Sequence, residues 1–122
     1  DKYLYPTLRG EKRGFFGLSE PSGGSDPARA IQTKAVRDGD NWIINGSKLW
    51  ISGADRADFG LVFARTDSSK GRNGVTCFIV DTDTPGFHVR RIVHTPSFRS
   101  LCNRASVRKH DCTVGEYPRR AE

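Results

Sequence analysis

The chain contains no methionine, not even at position 1, and its opening "DKYLYP" is abrupt, so the expectation is an excised piece of a longer protein. Cysteine is scarce: Cys77, Cys102 and Cys112 form no Cys-x-x-Cys pair and leave one thiol over under any disulfide scheme. That excludes a zinc ribbon or a disulfide framework and points to inert thiols in a reducing compartment. No run approaches the roughly 20 apolar residues of a membrane helix, and the first residues lack the apolar centre of a secretion signal, so no membrane span is expected. Helical patterning is missing as well. Between residues 14 and 98 no apolar spacing at i, i+3, i+4 persists, and only "DKYLYPTL" could be the frayed end of a helix. His88, His94 and His110 match no metal-ligand spacing and read as surface histidines, so no metal is expected.

Charge of one sign is also missing from most of the chain. The net charge is +6, yet residues 1–89 carry twelve Lys/Arg against eleven Asp/Glu, while residues 90–122 carry eight against three. The excess belongs to the tail. Without helix-turn-helix, RNP or zinc-finger spacing it reads as a solvated or anion-contacting edge, and no nucleic acid is expected.

What remains is β-patterned. Residues 30–37 and 41–52 are rich in Ile, Val, Thr and Trp and are separated by "DGD", a type I′ hairpin signal. "Asn45-Gly46" is a second turn signal, so the second segment is expected to bend or split there. "FGLVFART" (59–66) and "GVTCFIVD" (74–81) are apolar runs of strand length, expected to be buried, with "DSSKGRN" as a surface connection. "TPG" at 84–86 turns the chain into "FHVRRIVH", where Phe87, Val89 and Val93 share a parity suited to an edge strand. At 122 residues, burying about 65% of the unfolded surface, one domain is expected. The fold class is all-β: a small closed or nearly closed antiparallel β-barrel of six to eight strands.

Two segments are more specific. "FFGLSEPSGGSD" (15–26) and "GSKLWIS" (46–52) closely resemble the middle β-barrel domain of the FAD-dependent acyl-CoA dehydrogenases. There, an aromatic-x-apolar-Ser/Thr-Glu-Pro-x-x-Gly-Ser-Asp segment and an apolar-Trp-Ile-Ser/Thr segment cover one face of the flavin. "AVRDGDNWIINGSK", "ADFGLVFARTD", "GVTCFIVDTDTPGF" and "VRRIVHT" continue the likeness in order, over about residues 3–96. An isolated Glu-Pro or Trp-Ile arises by chance; five segments in sequence are far more specific.

The resemblance implies cofactor contacts at Phe16, Leu18, Ser19, Trp50, Ile51 and Ser52. Ser19 would donate to the flavin pyrimidine edge, Trp50 would lie against the isoalloxazine, and Ser52, two residues on and on the same strand face, would point toward N5, which receives hydride. The bland reading of "LWIS" is a Trp filling the core beside a strand-end Ser. Gly24 and Ser25, with Gly23 and Asp26 beside them, would contact the acyl-CoA; an ordinary capped turn is the alternative for Asp26. Glu20 is expected to be structural, bonding neighbouring backbone, and no catalytic residue is assigned. The base would lie in a C-terminal helical domain absent from these residues. Implied partners are the acyl-CoA substrate, an electron-transferring flavoprotein, the helical domains and a homo-oligomer, usually a tetramer. The compartment would be the cytoplasm or the mitochondrial matrix.

The pattern departs after Thr95. Arg108 and Lys109 stand where apolar residues are expected, and Gly115 replaces a proline. The division expected is therefore 1–13 as the end of a helical segment or linker, 14–96 as the barrel, and 97–122 as a basic tail. The tail is a diverged closing strand, a poorly ordered segment or the product of a shifted reading frame. Rival functions are an oxidase or monooxygenase of the same fold, and a non-catalytic β-barrel binding module; Ser25 with Ser52 favours the dehydrogenase.

Overall fold

A computed structural model describes residues 2–23, 25–90, 92–93, 101–102 and 105–107. Among these the alternating patterns become nine short strands: β1 Gly14–Gly17, β2 Lys34–Asp38, β3 Asn41–Lys48, β4 Phe59–Arg65, β5 Val75–Asp81, β6 Phe87–Val89, β7 Ile92–Val93, β8 Leu101–Cys102 and β9 Ala105–Val107. Among the described residues helical structure is limited to single turns, α1 Leu4–Leu8, α2 Pro27–Ala30 and a 3-10 turn at Gly71–Gly74. Among the described residues no helix is long and apolar enough to cross a membrane.

β4 is the hub. β5 lies antiparallel along one edge, from Phe59↔Asp81 to Arg65↔Val75. The other edge is shared end to end by β1, parallel from Gly14↔Phe59 to Gly17↔Val62, and by the start of β2, parallel at Lys34↔Arg65. From β2 the sheet continues through β3 and β9 to β6, giving seven strands in all, while β7 and β8 form a separate pair. Two features correct the sequence reading. The sheet is mixed, because β4 returns alongside β1 only after the chain has crossed over through the β2–β3 hairpin, and such a crossover brings strands back parallel. Nor do hydrogen bonds close it: among the described residues no ladder joins β5 to β6.

The β2–β3 hairpin forms as expected with a different turn. Asp38 pairs with Asn41, leaving Gly39 and Asp40 as the loop, and only Gly39 has positive φ (58°). That is the type II′ pattern, one residue displaced from an Asp-Gly type I′ turn. β3 runs unbroken through Gly46, which serves close approach and not bending: a Cβ there would lie 2.2 Å from Thr33 Oγ1. β4 and β5 alternate between buried and half-buried positions instead of being buried throughout. β6 is an edge strand of the sheet, with Phe87 buried and His88 exposed.

The core lies between the inward faces of these strands, with Phe15, Ile44, Ile51, Val62, Phe78 and Val80 at its centre. Each such side chain contributes about 1.5–3 kcal/mol of transfer free energy. Phe15 stacks on Phe87 at 5.8 Å and Trp42 meets Phe78 edge-on at 5.4 Å. The N-terminal segment is held where Tyr3 packs on Phe59 at 4.9 Å and Lys2 pairs with Asp81.

Candidate functional site

β1 alternates exposed and buried residues, which turns Phe15 and Gly17 inward and Phe16 outward. Phe16 is 56% exposed, its ring meeting that of Phe63 at 5.0 Å. Beyond Gly17 the chain leaves the ladder, yet it stays fixed. Glu20 folds inward, and its carboxylate accepts from Gln32 N–H (2.6 Å), Thr33 N–H (3.1 Å) and Lys48 Nζ (2.7 Å). Glu20 is thus the structural, backbone-binding residue expected of it.

Lys48 is the residue that sequence reasoning missed. Its side chain and that of Glu20 are each 4% exposed. Besides Glu20, its ammonium donates to Phe63 C=O at 2.6 Å and Leu18 C=O at 3.3 Å, so its three donors meet three acceptors. Parity was the available signal: on an alternating strand, 48 shares a face with the buried Ile44. Burial pushes the Glu20 carboxyl up, but hydrogen bonds from Lys48, Thr33 and Gln32 outweigh it and hold the carboxyl below its ordinary value. Burial also pushes the Lys48 ammonium down, and Glu20 opposes this only in part. A buried pair of this kind contributes little net stability, but deleting one member costs about 3–5 kcal/mol because the other charge is stranded.

The second segment begins where β3 ends. Leu49 N–H donates to Ser19 C=O at 2.9 Å, which lays residues 49–52 beside residues 18–20. Trp50 then takes φ of +61°, the left-handed region that bulky side chains avoid. The segment is a bend, so Trp50 and Ser52 do not share a strand face as the sequence reading had it. Ile51, 2% exposed, is the core residue, while Trp50 is 56% exposed and Ser52 is exposed. The bland reading of Trp50 as core filler does not hold. Ile51 can offer a ligand only its backbone.

The loop between the segments is anchored at both ends. Arg65 donates to Ala28 C=O (2.8 Å), Ile31 C=O (3.3 Å) and Gly71 C=O (2.8 Å), tying α2 to the β4–β5 connection. Asp26 precedes α2 without a side-chain cap bond and faces Arg72 (3.3 Å) and Arg29 (3.6 Å) instead. Ser25 is exposed, and Gly24 lies outside the described residues. A cleft of about 340 Å³ lined by Glu20, Pro21, Ser22, Gln32, Thr33, Gly46 and Ser47 opens beside this loop. Cys77 is a free, half-buried thiol whose pKa burial raises. Arg108, Lys109, His94 and His110 lie outside the described residues.

The structure therefore brings Phe16, Leu18, Ser19, Trp50 and Ser52 onto two adjoining segments and sets Ser25 in the loop between them in sequence. Comparison with known proteins gives this arrangement a family. The model of the acyl-CoA dehydrogenase middle domain matches residues 15–107, which carries the likeness past Thr95 to the end of β9. A mitochondrial short/branched chain specific acyl-CoA dehydrogenase of Rattus norvegicus is 50% identical over 86 residues, 70% of this chain and 20% of that protein. Among solved structures, glutaryl-CoA dehydrogenase from Mycobacterium smegmatis in complex with FADH2 superposes with a TM-score of 0.81 at 38% identity, covering 91% of this chain and 28% of that one. The structure of the electron transferring flavoprotein of Acidaminococcus fermentans contains a chain matched with a TM-score of 0.87 at 38% identity, over 94% of this chain and 31% of that one. The chain thus spans under a third of each of these proteins, and it belongs to the acyl-CoA dehydrogenase family, of which it carries the middle domain.

Proposed function

We propose that residues 14–107 cover one edge and one face of an FAD isoalloxazine and the adjoining stretch of an acyl-CoA, in an enzyme that dehydrogenates acyl-CoA thioesters between Cα and Cβ. One observation carries the reading: Phe16 and Trp50 expose their rings on two segments held together by the Leu49–Ser19 hydrogen bond, with the Ser19 and Ser52 hydroxyls on those same segments. A flavin ring is apolar on its faces and rich in acceptors along its edge, and this combination of exposed aromatic surface and short donors fits it. Glu20, the carboxylate next to Ser19, is turned inward to Lys48 and so presents no charge to the ring edge.

When bound, FAD supplies the two-electron acceptor for the reaction. Phe16, Leu18 and Ser19 would hold the ring edge, Trp50 would pack on its face, the Ile51 backbone and the Ser52 hydroxyl would serve the N5 side, and Gly24 and Ser25 would contact the acyl-CoA. Glu20 is fully engaged by Lys48 and two backbone amides and is not free to take the α-proton, so we assign that role to a carboxylate of a further helical domain. Further helical domains, a tetrameric assembly, an electron-transferring flavoprotein as acceptor and a cytoplasmic or matrix setting complete the reading. The test is to purify the longer protein that contains this domain and add saturated acyl-CoA. A yellow protein whose flavin absorption bleaches supports the proposal; a colourless protein that takes up no FAD overturns it.

A further inference from the structure

The Glu20–Lys48 pair is placed to do more than hold the loop. The peptide group is planar and trans, so its C=O and N–H point in opposite directions. Lys48 Nζ draws Leu18 C=O toward the interior at 3.3 Å, and the N–H of the same peptide, that of Ser19, is thereby aimed away from the ammonium. Leu49 N–H fixes the next peptide in the same manner through Ser19 C=O at 2.9 Å. The ammonium is itself held in place by Phe63 C=O at 2.6 Å on β4 and by Glu20 Oε1 at 2.7 Å. Glu20 in turn is fixed by the Gln32 and Thr33 amides. A cation on a carbonyl also polarises the peptide and strengthens its N–H as a donor.

We infer that Glu20 and Lys48 are a positioning pair that sets the direction and donor strength of the Ser19 amide toward the flavin edge, and so adjusts the affinity and electronics of the bound flavin. The inference rests on the flavin reading above. Its energetic premise is that a buried pair is a poor device for stability alone, since an apolar pair of similar volume serves as well. Leu18 C=O completes the three acceptors of the ammonium and at the same time fixes the peptide that carries the Ser19 amide.

The experiment uses the longer flavoprotein containing this domain and the double variant Glu20→Gln/Lys48→Met, which removes both charges without stranding either. Thermal unfolding should stay close to that of the wild type, while the FAD dissociation constant rises about tenfold or more and the flavin absorption band shifts. A folded double variant with unchanged FAD affinity and an unchanged band overturns the proposal. Should the double variant not fold, Glu20→Gln/Lys48→Gln provides the second arm, since it keeps a neutral donor at position 48, loses the charge and strands no carboxylate. A shifted band in that variant supports the pair's role, and an unchanged band and affinity overturn it. A wild-type protein that takes up no FAD overturns the flavin reading itself, a result distinguishable from both.

Discussion

Trp50 holds φ at +61° with its side chain 56% exposed, so it bears backbone strain with little packing to offset it. Left-handed backbone costs a bulky residue about 1–2 kcal/mol. It persists here because Leu49 on one side is bonded to Ser19 and Ile51 on the other is sunk in the core. Trp50→Gly removes the strain but adds unfolded-state entropy of about 0.5–1 kcal/mol. Its unfolding midpoint should therefore match or slightly exceed that of the wild type, while FAD affinity in the longer protein falls. A clear loss of stability would mean that the indole packs more than its exposure indicates.

Ser52 separates function from fold in a different way. The side chain is exposed, so Ser52→Ala should leave the denaturation curve unchanged. Turnover of the longer protein on acyl-CoA should drop by the equivalent of one hydrogen bond, about 0.5–1.5 kcal/mol. Wild-type turnover with an unchanged flavin spectrum would remove Ser52 from the site. At Glu20 the relevant variable is pH. Its folded pKa lies below the ordinary 4.5, so the unfolded chain takes up the proton first as pH falls. The stabilisation is then complete above about pH 4.5 and is lost as pH falls through the lowered folded value. Unfolding followed by denaturant should show a steeper loss of stability below about pH 4.5 in the wild type than in Glu20→Gln.

At the scale of elements, the crossing of β3 over the 31–33 segment is a tight constraint. An Ala Cβ at position 46 would lie 2.2 Å from Thr33 Oγ1 and 2.7 Å from Thr33 Cα. Thr33 cannot withdraw, because its N–H is bound to Glu20 at 3.1 Å and its C=O accepts Arg65 N–H at 2.7 Å. Gly46→Ala should therefore cost about 2–3 kcal/mol, the upper range for overpacking, read as a lower denaturant midpoint at unchanged slope. The same crossing explains why "Asn45-Gly46" is not a turn. A glycine that another backbone must approach closely and a glycine that must turn look identical in sequence.

For the whole molecule, the rings of Phe16 and Trp50 and, on α1, Leu4, Tyr5 and Leu8 are exposed. The isolated chain should fold as the seven-stranded sheet and hold FAD weakly, since half a site forfeits most of the binding free energy. Titrating FAD against the 122-residue chain checks this. Dissociation constants below about 1 μM would mean that the middle domain alone builds most of the site.

The order of the strands, the hairpins at 34–48 and 59–81, the edge position of 87–89 and the two segments that carry the family resemblance were legible because each is written in contiguous residues, as alternation, turn chemistry or a motif. Glu20 was legible as structural for the same reason, standing in a Glu-Pro loop with backbone close by. Other features depended on which edges and faces meet in space. The parallel seating of β1 on β4 follows from a crossover spanning the whole β2–β3 hairpin. The pairing of Lys48 with Glu20 spans 28 positions along the chain. Trp50 and Ser52 share no strand face because the chain, pinned to Ser19 at Leu49, must turn before Ile51 can reach the core. Sequence alone determined which residues carry donors and rings. Tertiary structure decided their directions, because a peptide's orientation is set by what its carbonyl meets, and that partner lies elsewhere in the chain.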